Sequence, residues 1–276
     1  SAIYYYQKAL QVNPGYITTL YNLGDVYYQD LVDDSAIYYY KKLSRVLTTP
    51  DADLFNRIGT SYDYTGQPDS ALVYYLKAIE ADRNKPDYYN NAALIYFNKK
   101  MYEKAIYYYE KAGSLATKGV KKYIYLALSY AYLSDDKKAE EILQEGIKVD
   151  TASADKHLYY YNLGWLKNKQ QKPDEAIRWY KKSVTQKPSY PDAYNNLGYI
   201  YDRQGKKDSA VYWYKQCLKA DPDYTRAMYN LAYIYNDIYK YDSSLYYYKM
   251  LYHLVPLNAS VAYEIGLSYY YSYDYD

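Results

Sequence analysis

Few side chains in this sequence are of a type that runs a reaction. Two histidines, His157 and His253, and one cysteine, Cys217, are the only imidazoles and the only thiol among 276 residues. Acid–base or nucleophilic catalysis needs such groups within hydrogen-bond reach of one another. A zinc site needs three or four of them at short ligand spacing. The two histidines lie far apart in the chain, and neither forms a metal-spaced cluster with Cys217. Cys217 sits in the helical run DSAVYWYKQCL and reads as a small buried hydrophobe rather than a reactive thiol. The glycines form no phosphate-cradling loop. These residue types predict no catalytic residue, no metal and no cofactor, so the chain is not expected to be an enzyme.

The bulk composition narrows the partners. Lys plus Arg number 34 and Asp plus Glu 32, a net charge of +2. That balance gives no pull toward nucleic acid or an anionic membrane. No apolar run approaches the ~18 residues of a spanning helix, so no membrane insertion is expected. One cysteine allows no internal disulfide. The chain opens on Ser1 without Met or an apolar leader, and reads as part of something longer or as a mature product. Its oddest number is 51 Tyr against 2 Phe, two side chains that differ by one hydroxyl.

The elements that would position any site are internal repeats. YNLGDVY (21–27), YNLGWLK (161–167), NNLGYIY (195–201) and YNLAYIY (229–235) are each followed by a second signature: DSAIYYYKKL, DEAIRWYKKSV, DSAVYWYKQCL and DSSLYYYKML. Pro14, Pro188, Pro222 and Pro256 close several units. Apolar or small residues recur three or four apart, as in Leu20, Leu23, Gly24 and Tyr27, the pattern of one helix face. Asp-Ser or Asp-Glu before the second segment suits a helix start. Strand alternation is absent.

These motifs resemble the tetratricopeptide repeat, a helix–turn–helix unit of ~34 residues. The resemblance covers the whole chain and implies an all-α fold, an open-ended α-solenoid winding as a right-handed superhelix. It divides residues 1–276 into one solenoid. Residues 1–16 form a half repeat, the second helix only. Full repeats follow at 17–51, 52–85, 86–119, 120–156, 157–190, 191–224 and 225–258. Residues 259–276 form a half repeat, the first helix only. A small residue of each first helix (Gly24, Gly59, Ala93, Ala127, Gly164, Gly198, Ala232, Gly266) admits the partner helix. A ring of the second helix (Tyr40, Tyr75, Tyr109, Tyr180, Tyr214) fills the space. The unit at 120 departs from this pattern, with Leu143 for the ring and Gly146 for an alanine, and is expected to be looser. Cys217 stands where the family has alanine.

The two half repeats fit each other in register, Asp276 at the eighteenth place of a unit and Ser1 at the nineteenth. The expectation is a structural scaffold, one period or protomer of a continuous head-to-tail solenoid or filament. Its junction brings Ser1, Ala2, Tyr5, Tyr6 and Ala9 to Ile265, Gly266, Tyr269 and Asp276. If so, the chain is soluble or belongs to an extracellular or cell-surface fibre; the sequence names no compartment. The alternative is an adaptor holding an extended peptide or protein partner in a concave groove. The resemblance places Asn22, Asn91, Asn162, Asn196 and Asn230 where an Asn bonds a bound backbone, or where it bonds a neighbouring helix instead. Asp53, Asp87 and Asp192 stand where a chaperone-binding groove would use lysine, so that role is rejected. Tyrosine triplets on second helices (Tyr4–Tyr6, Tyr38–Tyr40, Tyr107–Tyr109, Tyr246–Tyr248) present outward rings suited to lateral packing or to stacking on carbohydrate. Asn258-Ala259-Ser260 is a glycosylation sequon, with Asn258 the acceptor.

Overall fold

A computed structural model describes residues 2–30, 32–115, 120–150 and 153–273. Among the described residues every regular element is a helix. They are α1 (Ala2–Val12), α2 (Ile17–Gln29), α3 (Asp33–Val46), α4 (Ala52–Tyr64), α5 (Pro68–Ala81), α6 (Pro86–Asn98), α7 (Tyr102–Leu115), α8 (Val120–Tyr132), α9 (Asp136–Val149), α10 (Lys156–Lys169), α11 (Pro173–Gln186), α12 (Pro191–Arg203), α13 (Lys207–Ala220), α14 (Thr225–Asp237), α15 (Tyr241–Leu254) and α16 (Ala259–Tyr273). The fold is an all-α helical-repeat solenoid, in which even-numbered helices are the first of each pair and odd-numbered helices the second. Two compact units emerge, Ser1–Ala139 and Glu140–Asp276, with the division falling inside α9.

Local chemistry sets the helix limits. Pro68, Pro86, Pro173 and Pro191 open α5, α6, α11 and α12, where a missing N–H costs no helical bond. The Asp51 carboxylate accepts the Leu54 N–H at 3.0 Å and caps α4. Between the helices of a pair the chain turns through one left-handed residue: Gly66 (φ 72°) and Gly205 (φ 72°), but also Lys100, Ser134, Gln171 and Tyr239.

In the first unit, Leu20, Ala36, Tyr40, Leu43, Leu54 and Ile58 form one buried cluster; Ala71, Tyr75, Ala92 and Ile95 form the next. In the second unit the same arrangement recurs, with Ala176, Ile177, Tyr180, Ala193 and Leu197 in one cluster and Ala210, Tyr214, Cys217, Ala227 and Leu231 in another. In four pairs the lock is a ring packed against a glycine; elsewhere the small residue is alanine, as where Ala93 packs with Tyr109 and Ala232 with Tyr248. A Cβ built on Gly59, Gly164 or Gly198 would lie 2.7 Å from ring atoms of Tyr75, Tyr180 or Tyr214, and one on Gly24 would strike Tyr40. Glycine is a poor helix former, and the close approach of the ring is what these four positions gain from it. Beside this lock runs a stack. Tyr27 lies on Tyr39, Tyr62 on Tyr74, Tyr201 on Trp213 and Tyr235 on Tyr247, with interplanar angles of 2°, 23°, 8° and 9°.

The divergent repeat has its own compensation. Leu143 is buried, and Gly146 is occupied by the ring of Tyr159, which a Cβ at that position would strike. Near it, Lys167 stands where sister repeats carry the stacking tyrosine. Its side chain is only 6% exposed, and its ammonium meets Glu140 at 2.7 Å and Glu175 at 3.5 Å.

Candidate functional site

The reactive residue types are placed far from any catalytic arrangement. The Cys217 thiol is buried, donates to the Pro191 carbonyl at 3.3 Å, and is pushed up to about 12 chiefly by burial. It therefore stays a protonated thiol near neutral pH. His253 is exposed at the end of α15. His157 is buried, edge-on to Tyr190 at 4.9 Å, with Nδ1 3.4 Å from the Ala154 carbonyl. Burial lowers its pKa, and the Lys187 ammonium lowers it further. Among the described residues no group of three or more His, Cys, Asp or Glu is arranged to hold a metal. No described helix is long and apolar enough to cross a membrane.

The His157 shift has a measurable consequence. A depressed folded pKa means the unfolded chain takes up a proton, near its ordinary 6.5, that the folded chain refuses. Stability must fall as pH drops below about 6.5, the ordinary histidine value. In His157→Gln, thermal melts should lose that slope relative to the parent chain. An unchanged slope would place the titration elsewhere.

The five asparagines occupy one register and spend their amides inside the fold. Asn22 Nδ2 donates to the Tyr6 hydroxyl at 3.3 Å, Asn91 to Asn56 Oδ1 at 2.8 Å, and Asn196 to the hydroxyls of Tyr180 and Tyr161 at 3.1 and 3.3 Å. Asn230 faces the Tyr214 hydroxyl. Asn162 is buried and donates to the Leu158 carbonyl of its own helix at 2.7 Å, so it presents nothing to a ligand. In several repeats the hydroxyl of the locking ring meets the same position of the next repeat, as Tyr6 meets Asn22 and Tyr180 meets Asn196, whereas Tyr75 donates to Thr60 of its own pair at 3.4 Å and the Tyr248 hydroxyl has no hydrogen-bond partner among the described residues. Arg57 lies 3.5 Å from the Tyr40 hydroxyl and 2.9 Å from Asp25, to which that hydroxyl donates at 2.5 Å. Tyr125 lies parallel to Tyr109, and Glu264 faces Tyr248. Burial first, and then Asp25 or Glu264, raises the pKa of Tyr40 and Tyr248. Where the hydroxyl has a partner, as in Tyr6, Tyr40 and Tyr180, tyrosine gains a hydrogen bond that phenylalanine could not make.

One surface gathers polar and aromatic groups. In the second unit, a cleft of about 650 Å³ is lined by Tyr199, Thr225, Arg226, Tyr229, Asn230, Leu251, Val255 and Val261, among others. A second, of about 500 Å³, shares Tyr199, Tyr229 and Asn230 and adds Asp202, Arg203, Lys207 and Tyr233. Tyr199, Tyr229 and Tyr233 are 46%, 37% and 51% exposed. Lys207 neutralises Asp202 at 2.8 Å and Asp237 at 2.9 Å. Arg203 and Arg226 are exposed and make no ion pair among the described residues. Sequence reasoning found Asn196 and Asn230 but not this wall. The missed signal is a tyrosine three residues after each, Tyr199 and Tyr233, which a helix brings to the same side.

Of the junction residues, Ser1 and Asp276 lie outside the described residues. Ala2 is exposed, Tyr5 is 72% exposed, and Tyr6, Ala9 and Ile265 are half-buried. Gly266 and Tyr269 are exposed. Asn258 is exposed, and its Oδ1 accepts the N–H groups of Ser260 and Val261, capping α16.

Stacked helical pairs with an aromatic surface are the architecture of a protein-interaction scaffold. A TPR repeat model matches residues 164–205, and tetratricopeptide repeat models match residues 52–85, 86–118 and 191–224. The chain belongs to the tetratricopeptide repeat family. No curated protein matches it. Among solved structures, MamA is 28% identical over 60% of this chain and 95% of its own, with a TM-score of 0.52. A tetratricopeptide repeat protein from Parabacteroides merdae is 16% identical, covering 91% of this chain and 98% of its own at a TM-score of 0.70. YrrB, described as a TPR protein with an unusual peptide-binding site, is 22% identical over 68% and 95%, at a TM-score of 0.51.

Proposed function

We propose that this chain is a non-enzymatic scaffold whose second unit holds an extended, carboxylate-bearing segment of a protein partner. The observation that carries this reading is the pair of adjoining clefts around Asn230. Tyr199, Tyr229 and Tyr233 offer rings that bury area at low entropic cost. Arg203 and Arg226 supply unpaired positive charge beside them. Asn196 already donates to two phenols, while Asn230 lines both clefts, where its side-chain amide can meet a backbone group. The partner is therefore read mainly by rings and charge. Random peptides displayed against the whole chain should yield binders rich in Asp and Glu. Those binders should lose about tenfold or more in affinity toward the Arg226→Glu, Tyr199→Ala double variant, a loss of ~1.4 kcal/mol. Binders that keep their affinity would remove the clefts from the account.

A second reading is self-stacking of this repeat head to tail, as a solenoid or filament. It is favoured by α1, in which no residue is buried, and by the exposed rings of Tyr263, Tyr269 and Tyr270 on α16. The triplet tyrosines, Tyr38 and Tyr246 both 60% exposed, would then serve lateral contacts or carbohydrate. Glycosylation at Asn258 leaves its capping oxygen in place.

A further inference from the structure

One place on the second helices of the first unit carries a ring that the core does not use. It is the first residue of each tyrosine triplet, two residues before the locking ring. Tyr38 on α3 and Tyr107 on α7 stand there, 60% and 54% exposed. Tyr4 on α1 is 53% exposed, so exposure belongs to this place in the repeat.

Each of these rings is held still. Tyr38 meets Tyr39 edge-on at 5.0 Å and 84°, Tyr107 meets Tyr108 at 5.1 Å and 88°, and Tyr4 meets Tyr5 at 5.2 Å and 83°. Two of the inner rings are themselves stacked on a first helix, Tyr39 on Tyr27 and Tyr108 on Tyr96. Edge-on pairing is a favoured aromatic geometry. A ring fixed in this way loses little freedom when something lies against it.

A lysine follows each ring by four residues, one helical turn along the same side: Lys8, Lys42 and Lys111. Lys8 lies over Tyr4 at 5.8 Å and Lys111 over Tyr107 at 5.7 Å. On α5 Val73 takes the place of the ring, but the lysine is kept as Lys77. None of these four lysines makes an ion pair among the described residues. Asp34, Asp69 and Glu103 sit in the first turns of their helices, a turn before this place, and Asp69 is paired with Lys99. Glu110, beside Lys111, accepts the Tyr130 hydroxyl at 2.7 Å. On α3 the arrangement opens a cleft of about 530 Å³, in which Ile37 and Tyr38 stand with Lys41, Lys42 and Arg45 against one carboxylate, Asp34. In the second unit the pattern lapses. Tyr212 and Tyr246 keep the ring, but Gln216 and Met250 replace the lysine.

We propose that this face of the first unit, over α1, α3 and α7, binds a linear acidic polysaccharide of the uronate class. A sugar ring offers an apolar C–H face to an exposed phenol, and a uronate places a carboxylate beside it for the lysine. Ring and cation recur in one register from repeat to repeat, and a ligand that answers them must also repeat. The net charge of +2 gives no general attraction for polyanions, so binding depends on these local pairs acting together along one strand. The inference depends neither on the clefts of the second unit nor on self-stacking.

Biolayer interferometry of the whole chain on immobilised polygalacturonate and alginate tests it. The parent chain should be captured. Tyr38→Ala with Tyr107→Ala, and separately Lys42→Glu with Lys111→Glu, should each weaken capture about tenfold or more, with helical circular dichroism and melting temperature at the parent values. Neutral galactan lacks the carboxylate and polyglutamate lacks the sugar face; each should bind about tenfold or more weakly than the acidic sugar. The Arg226→Glu, Tyr199→Ala double variant should bind the sugar as the parent does. Capture by neither uronate polymer would overturn the proposal. So would tyrosine variants that bind as the parent does, or equal capture by polyglutamate, which would make this a face for acidic protein. Loss of capture in the Arg226→Glu, Tyr199→Ala variant alone would move the sugar to the second unit and overturn it as well.

Discussion

Gly198→Ala should destabilise the second unit by about 1–3 kcal/mol, the usual cost of forcing extra volume into a packed core. The added methyl would sit 2.7 Å from Cδ1 and Cε1 of Tyr214. That ring is 1% exposed and is confined by Ala210, Cys217, Ala227 and Leu231. It has nowhere to retreat without shifting a helix. The better helix propensity of alanine, ~1 kcal/mol, offsets part of the cost. Denaturant melts of Gly198→Ala alone and with Tyr214→Leu should be strongly non-additive, because the second substitution removes the ring that the first one strikes. Additive losses would mean the close approach is not what makes Gly198 necessary.

The second large effect concerns Lys167. Removing one side of a buried ion pair typically costs about 3–5 kcal/mol, because the remaining charge is stranded, whereas replacing the charge by an apolar group of similar size is often close to neutral. Glu140→Ala with Glu175→Ala strands an ammonium whose side chain is 6% exposed, and should lower stability by about that amount. Lys167→Met leaves only the two glutamates, at 27% and 37% exposure, free to turn to water, and should cost far less. Equal losses in chemical denaturation of the two variants would show that the site is held by packing rather than by charge pairing.

Much of this fold is legible in the sequence because one physical pattern repeats. Helical spacing, the small residue of the first helix and the ring sixteen residues later together specify a pair of helices that can fit only one way. The glycines forecast their rings: Gly59 with Tyr75 and Gly198 with Tyr214 stand as the motif requires. The expectation of a loose repeat after residue 120 overlooked a compensation across helices. Gly146 is filled by Tyr159 of the following helix, and no local pattern announces a partner from the next repeat. The asparagine register was readable, but not the direction of each amide. Asn162 turns to its own backbone while Asn196 reaches two phenols, a difference set by which tyrosines happen to stand nearby. The wall of Tyr199, Tyr229 and Tyr233 escaped notice because tyrosine is so abundant here that no single one stands out. Exposure, which the sequence does not carry, is what separates these three from Tyr180 or Tyr214.

One interaction recurs through the fold, a tyrosine ring locked on a small residue of the preceding helix, and Gly266 has no such ring within 4 Å of a Cβ built on it. The most direct test is a pair of thermal melts at a protein concentration low enough to exclude association, Gly198→Ala against Gly266→Ala. The first should melt several degrees below the parent chain, since ~1 kcal/mol shifts a chain of this size by about 2–4 °C. The second should melt at or slightly above it, because the new methyl meets open space and favours the helix. An equal fall in both would show that the Tyr214 ring is not what sets Gly198 apart from Gly266, and would contradict the lock.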